Sequence, residues 1–154
     1  MADMLIFDAQ QAHKYFSTDC FTKTWSSMDK DGTRSNEENM EMLHTAIASL
    51  WHWTQREDVT PENLSVGYWQ VSRVYCLIRQ PHNARRYGLF SLEWTKDISP
   101  FFKGYAYETL ARAEMIANNR VIMKVYLEKA RGVLDAIANK EEKKLLIKDL
   151  ETIR

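Results

Sequence analysis

The sequence predicts an all-α protein built from antiparallel helical hairpins, and three observations carry that prediction. Glycine and proline are scarce, 5 and 3 in 154 residues, too few for a β-sandwich that turns about every ten residues. The prolines, Pro61, Pro81 and Pro100, are spaced by 20 and 19 residues. Proline favours the first position of a helix, where its fixed φ is already helical and its missing N–H would go unpaired. Apolar residues recur at helical spacing along the chain. With 45% hydrophobic and 27% charged residues, one domain with its own core is expected, since about 150 residues is a usual domain size.

Seven helices are predicted, over 8–28, 35–57, 61–79, 81–97, 99–117, 119–138 and 140–153. The first carries Tyr15, Phe16, Phe21 and Trp25, more aromatics than one narrow stripe holds, and follows the apolar Leu5-Ile6-Phe7. The second opens on Ser35 with Glu38 three residues on, the reciprocal pair of a capping box, and its stripe is Leu43, Ile47, Leu50 and Trp51. The third and fifth open on Thr60-Pro61 and Ser99-Pro100, each a capping hydroxyl before a proline. The third then places Leu64, Tyr68, Val71, Tyr75 and Ile78 on one face. Pro81 opens the fourth and Asn118-Asn119 the sixth, whose Met123, Leu127, Ala130, Leu134 and Ile137 repeat the spacing of the third. The seventh starts at Asn139 with Glu142 and sets Leu146, Leu150 and Ile153 opposite the mixed-charge run 140–144. Short connections force neighbouring helices to lie antiparallel. The organisation expected is a single helical-repeat domain over 1–154: an N-terminal hairpin (1–58), two repeat hairpins (61–138) and a capping helix (140–154).

The two middle hairpins are related by an internal repeat. Shifting the chain by 39 residues lays Tyr68, Val71, Ser72 and Arg73 over Tyr107, Leu110, Ala111 and Arg112. Periods of 20–50 residues mark stacked units that cannot bury their faces alone.

These positions resemble the tetratricopeptide repeat. Tyr68, Val71, Ser72 and Tyr75 match the pattern of its first helix, and the small residues Ala84, Gly88 and Ser91 that of its second. Tyr107, Leu110 and Ala111, then Met123, Leu127 and Ala130, match it again. The period of 39 exceeds the motif's about 34, and Ser72 and Ala111 stand where glycine is usual. The segments 72–75 and 104–113 are also similar to short bacterial proteins described as uncharacterised or tetratricopeptide-like. The resemblance implies a short right-handed superhelix whose first helices line a concave groove.

Composition narrows the function. Lys+Arg and Asp+Glu number 21 each, without the basic excess that nucleic-acid binding needs. Residues 1–77 hold 6 basic and 11 acidic groups, and 78–154 hold 15 and 10, a skew that would favour an antiparallel copy. Cys20 and Cys76 have no CxxC partner and read as buried small hydrophobes in a reducing compartment. The first eight residues carry acids where a signal peptide needs bases, and no run of about 18 apolar residues exists. A cytoplasmic protein is expected, with no membrane or nucleic-acid partner.

Three groups of residues are candidates for chemistry. The loop 27–38 has the outline of a calcium-binding EF-hand loop, but Ser27 holds its first position, Arg34 its apolar eighth, and no second loop is present to pair with it. It is read as a polar turn. His44, His52 and Trp53 share the second helix, but the histidines lie about 12 Å apart along the axis, too far for one metal ion. No metal or cofactor is expected. Trp69 and Arg73 on the third helix match Glu108 and Arg112 on the fifth. By the resemblance these four would look into the groove, where an arginine fork and a tryptophan platform suit a peptide or protein partner. Alternatively, Arg73 and Arg112 pair with Glu108 and Glu114 in a structural network with Trp69 in the core. The function expected is non-enzymatic binding of a protein or peptide. A second reading is a small-molecule binder or enzyme with a pocket at His44, His52 and Trp53. A third is self-association, a homodimer formed through apolar residues of the first two helices.

Overall fold

The computed structural model describes residues 7–154, so Leu5 and Ile6 of the predicted apolar N-terminal run lie outside the described residues. Among the described residues the only regular structure is helical: α1 (Ala9–Met28), α2 (Asn36–Thr54), α3 (Pro61–Leu77), α4 (Pro81–Glu93), α5 (Pro100–Ile116), α6 (Arg120–Gly132) and α7 (Lys140–Leu150), with a 3-10 turn over Leu134–Ala136. All three prolines open a helix. Ser35 and Glu38 form the reciprocal capping box, Thr60 forms a second one with Asn63, and Ser99, Asn119 and Asn139 cap through their side chains.

The internal repeat is a repeat of structure. Each bound of α5 and α6 lies 39 residues after the corresponding bound of α3 and α4. The helix ends match as well. Arg79 and Asn118 both sit at positive φ, 61° and 58°, and the next residue of each pair bonds back, Gln80 N–H to Tyr75 O and Asn119 N–H to Glu114 O, both at 2.9 Å. This left-handed cap satisfies carbonyls that would otherwise be orphaned at a helix end.

Consecutive helices pair as hairpins. Each even helix also packs on the next odd one, while α1, α3, α5 and α7 meet in series, so odd and even helices form two staggered layers. Between α3 and α4 the spacing is set by small residues. Ser72 Oγ donates to Ala84 O at 2.7 Å and Ser91 Oγ to Ser65 O at 2.8 Å, and a Cβ on Gly88 would lie 3.3 Å from Ser72 Oγ and 2.9 Å from Leu110 Cδ2 of α5. One core joins Met42, Leu50, Val71, Val74 and Ala113; a second joins Met123, Leu127, Ile137, Leu146 and Ile153. The apolar face predicted for the last helix closes that second core.

Four helices end three or more residues earlier than periodicity alone predicts. α2 stops at Thr54, α4 at Glu93, α6 at Gly132 and α7 at Leu150. In each case the last turn tightens to bonds three residues back, as in Trp94 N–H to Ser91 O and Ala136 N–H to Val133 O, a common way for a helix to finish. After Gly132 the tightening turns Ile137 into the second core.

Candidate functional site

The four groove candidates come together, but as a buried network. Trp69 and Glu108, matched by the repeat, are in direct contact: the indole Nε1–H donates to Glu108 Oε2 at 3.1 Å. Stacking places residues one period apart side by side, which is why the sequence match predicts a contact. Glu108 is fully buried. Its other oxygen accepts from Arg112 Nε, and Arg73 Nε stands 4.0 Å from the same atom. Arg112 extends further, donating from Nη2 to Asp149 O at 2.9 Å and to Thr152 Oγ1. A carboxylate at 0% exposure is tolerable only when paired and hydrogen-bonded, and Arg112 with the indole supplies both. Arg73 differs: its Nε is buried with no hydrogen-bond partner, and its guanidinium lies 6.0 Å from the Trp69 ring centroid. Glu114, the other acid expected in the network, pairs instead with Arg85 at 2.5 Å.

Of the four, Trp69 alone lines a cavity. This cavity, about 220 Å³, is bounded by all four odd helices. α1 contributes Trp25, α3 contributes Trp69 with Ser65 and Val66, and α5 contributes Phe101, Phe102 and Tyr105. Leu145 and Asp149 of α7 complete it, with Leu145 half exposed at 50%. The rings stand at steep angles to one another: Trp69 and Tyr105 are 5.6 Å apart at 84°, Phe101 and Tyr105 5.0 Å apart at 72°. Trp25 lies 5.6 Å from Trp69 at 35°. The Tyr105 hydroxyl donates to Asp149 Oδ2 at 2.6 Å. Burial first, and then this hydrogen bond, raise the Tyr105 phenol far above its usual range, so it is a donor at any physiological pH.

Sequence reasoning missed Tyr105, Phe101, Phe102 and Asp149. Asp149 gave no signal, since an acid on an amphipathic final helix resembles any solvated one. Trp25 did give one, because the aromatic excess of the first helix exceeded what its own hairpin could bury.

The second candidate group does not gather in one place. His44 is solvent-exposed. His52 meets His13 of α1, a residue the sequence did not single out, with the two Nδ1 atoms 2.8 Å apart. Burial, then the neighbouring His13, lower the His52 pKa. Trp53 carries the Arg56 guanidinium 4.1 Å above its ring and borders a different cavity with Phe21, Glu62 and Phe102. His44, His52 and Trp53 are thus not brought together: residues one apart on a helix, as His52 and Trp53 are, point in different directions.

In the loop 27–38, Glu38 is held by Ser35 N–H at 2.7 Å and by Lys30, and Arg34 donates to Ser27 O at 3.2 Å. The loop is a cap and an ion pair. Among the described residues no three of His, Cys, Asp and Glu group as metal ligands. Cys76 is buried as expected, and burial pushes its thiol up to about 12, so it is not a nucleophile at neutral pH. Cys20 is only half-buried, a departure from the expectation for both. Compared with protein-family models, curated proteins and solved structures, the chain matches none.

Proposed function

We propose that the chain is a non-enzymatic binding module for a protein or peptide, with a tetratricopeptide-like groove along the odd helices. The observation that carries this reading is the cavity itself, walled by four helices and five aromatic side chains. At about 220 Å³ it is smaller than the roughly 300–1,000 Å³ of pockets that enclose whole small molecules, and suits one side chain of a longer ligand. Aromatic clusters are typical anchors in such contacts. Beneath it Glu108, paired with Arg112 and with Arg73 standing beside it, fixes the Trp69 indole. The unpaired cysteines support a reducing, cytoplasmic setting.

The test is selection of peptides from a random display library, repeated with Val66→Trp, which fills the cavity from a half-buried position. Enrichment of a shared motif that the filled variant no longer binds supports the reading. Peptides bound equally by both forms refute it.

A second copy of the chain is a further proposed partner, on the outer face of α1 and α2. There Phe16 and Trp51 flank the histidine pair, with Tyr15 beside Phe16, and Tyr15 and Trp51 are 62% and 54% exposed. Sedimentation at micromolar concentration tests this: a dimer that Trp51→Glu dissociates is expected. A mass of 18.1 kDa that does not change with concentration sinks it.

A further inference from the structure

Among the described residues, the aromatic cavity is lined by one charged side chain. Asp149 is, among those residues, its only ionisable acid or base apart from the Tyr105 phenol, and no lysine, arginine or histidine among them forms an ion pair with its carboxylate. Arg112 reaches the Asp149 main-chain oxygen, while its Nε is directed at Glu108. Arg73 likewise stands against Glu108 and does not line the cavity. Tyr105 fixes one carboxylate oxygen by its hydrogen bond. Asp149 is half-buried in an otherwise apolar and aromatic wall, and a cation is the ligand that complements its charge.

The walls favour the same charge. Aromatic rings carry negative faces that attract cations, most strongly for tryptophan, and alkylammonium groups are well suited because their methyl groups also bury apolar surface. Trp69 and Tyr105 stand almost perpendicular, with Phe101 turned again against Tyr105 and Trp25 tilted by 35° from Trp69, so the cavity is walled by rings in several orientations. We infer that this cavity is a cage for an alkylammonium group carried on a partner's side chain, with Trp25, Trp69 and Tyr105 as walls and Asp149 as counter-charge. The inference rests on the groove reading and adds the chemistry of what enters it.

The experiment uses the full chain and follows the indole N–H resonances of Trp25 and Trp69 by NMR. Tetramethylammonium chloride is titrated against tert-butanol, an uncharged molecule of similar shape. The expected result is a saturable shift with the cation and binding at least about tenfold weaker with the alcohol. Asp149→Asn should weaken the cation by a similar factor while leaving the alcohol unchanged. Equal responses to both probes overturn the inference and leave the groove reading standing. No response to either also overturns it, and the peptide selection above then decides the groove separately. Nα-acetyl-trimethyllysine amide identifies the source: binding at least as tight as tetramethylammonium places the group on a peptide, and binding of the free ion alone overturns the side-chain assignment. Because the comparison of the two probes needs no substitution, it holds even if Asp149→Asn is unstable.

Discussion

α1 and α5 are both first helices of a hairpin, yet they are built from different materials. α5 is packed by α3, α4, α6 and α7, and nine of its residues are buried, including Glu108, Thr109, Arg112 and Glu114. α1 buries two, Ser17 and Thr24. It is held to α2 by hydroxyl bonds such as Ser49 Oγ to Ser17 O at 2.7 Å and Thr24 Oγ1 to Thr45 Oγ1 at 2.9 Å, while its Tyr15 and Phe16 remain exposed. The buried charges of α5 have little solvent to screen or hydrate them, so each must find a fixed partner. The end helix has solvent on one side and can leave its polar groups loosely matched. A helix's place in the stack, more than its sequence period, decides how much a single side chain matters.

The largest effect is expected at the centre. Glu108→Ala leaves two guanidinium groups and an indole N–H without their shared acceptor, and breaking a buried ion pair from one side costs about 3–5 kcal/mol. For a domain of this size that is roughly 6–20 °C of melting temperature. Chemical denaturation measures it, and a loss below about 1 kcal/mol, the range of an exposed pair, would erase the contrast with α1.

The two arginines sharpen the comparison. Arg112 donates to two acceptors besides closing on Glu108 from the same helix, whereas Arg73 makes no hydrogen bond through its buried Nε and keeps 20% of its side chain exposed. Arg112→Met should lose about 2–3 kcal/mol and Arg73→Met less than about 1 kcal/mol, because solvent screens a pair 4.0 Å apart. Equal losses would mean that Glu108 draws on both alike.

Packing at the second core gives a smaller effect. A Cβ on Gly104 would collide with Leu146, which is fully buried, and lie 3.1 Å from Val133 Cγ2. Gly104→Ala should therefore destabilise by about 1–2 kcal/mol, overpacking outweighing the roughly 1 kcal/mol gained in helix propensity. Gly132, with nothing within 4 Å of its added Cβ, is the control. Gly132→Ala should be neutral or stabilise by up to about 1 kcal/mol. Thermal melts of both variants check the pair.

The hairpin starts were legible because their signals are local: a proline, a hydroxyl and an acid within four residues of one another. The repeat was legible too, and with it the adjacency of Trp69 and Glu108, since stacking turns a sequence offset into a contact. What the sequence did not carry was the destination of a side chain across layers. Tyr105 and Asp149 meet over 44 residues with no shared period, and Glu114 was assigned to the wrong arginine because Arg85 lies on α4, outside the matched helices. The histidines failed for the same reason. His52 was weighed against His44 on its own helix, whereas its partner is His13 across the hairpin.

That histidine pair offers the smallest effect and the most specific one. With Nδ1 atoms 2.8 Å apart, one ring must donate and the other must accept, so the pair accommodates one charge but not two. Burial and the neighbouring ring lower the His52 pKa from its usual value near 6.5, which means the folded protein binds fewer protons there than the unfolded chain. The sign follows: stability from this site is fully present above about pH 6.5 and is lost as pH falls below it through the lowered folded value. The site sits on the half-exposed rim of α1 and α2, so the loss should be smaller than any above. Melting curves taken between about pH 7 and pH 5 should fall more steeply for the unaltered chain than for His13→Gln, which removes the like charge but keeps a polar partner. His44→Gln, on an exposed residue, should follow the unaltered curve. Parallel curves for all three would show that α1 meets α2 through its hydroxyls alone, and that the histidine contact contributes nothing to holding the end of the stack.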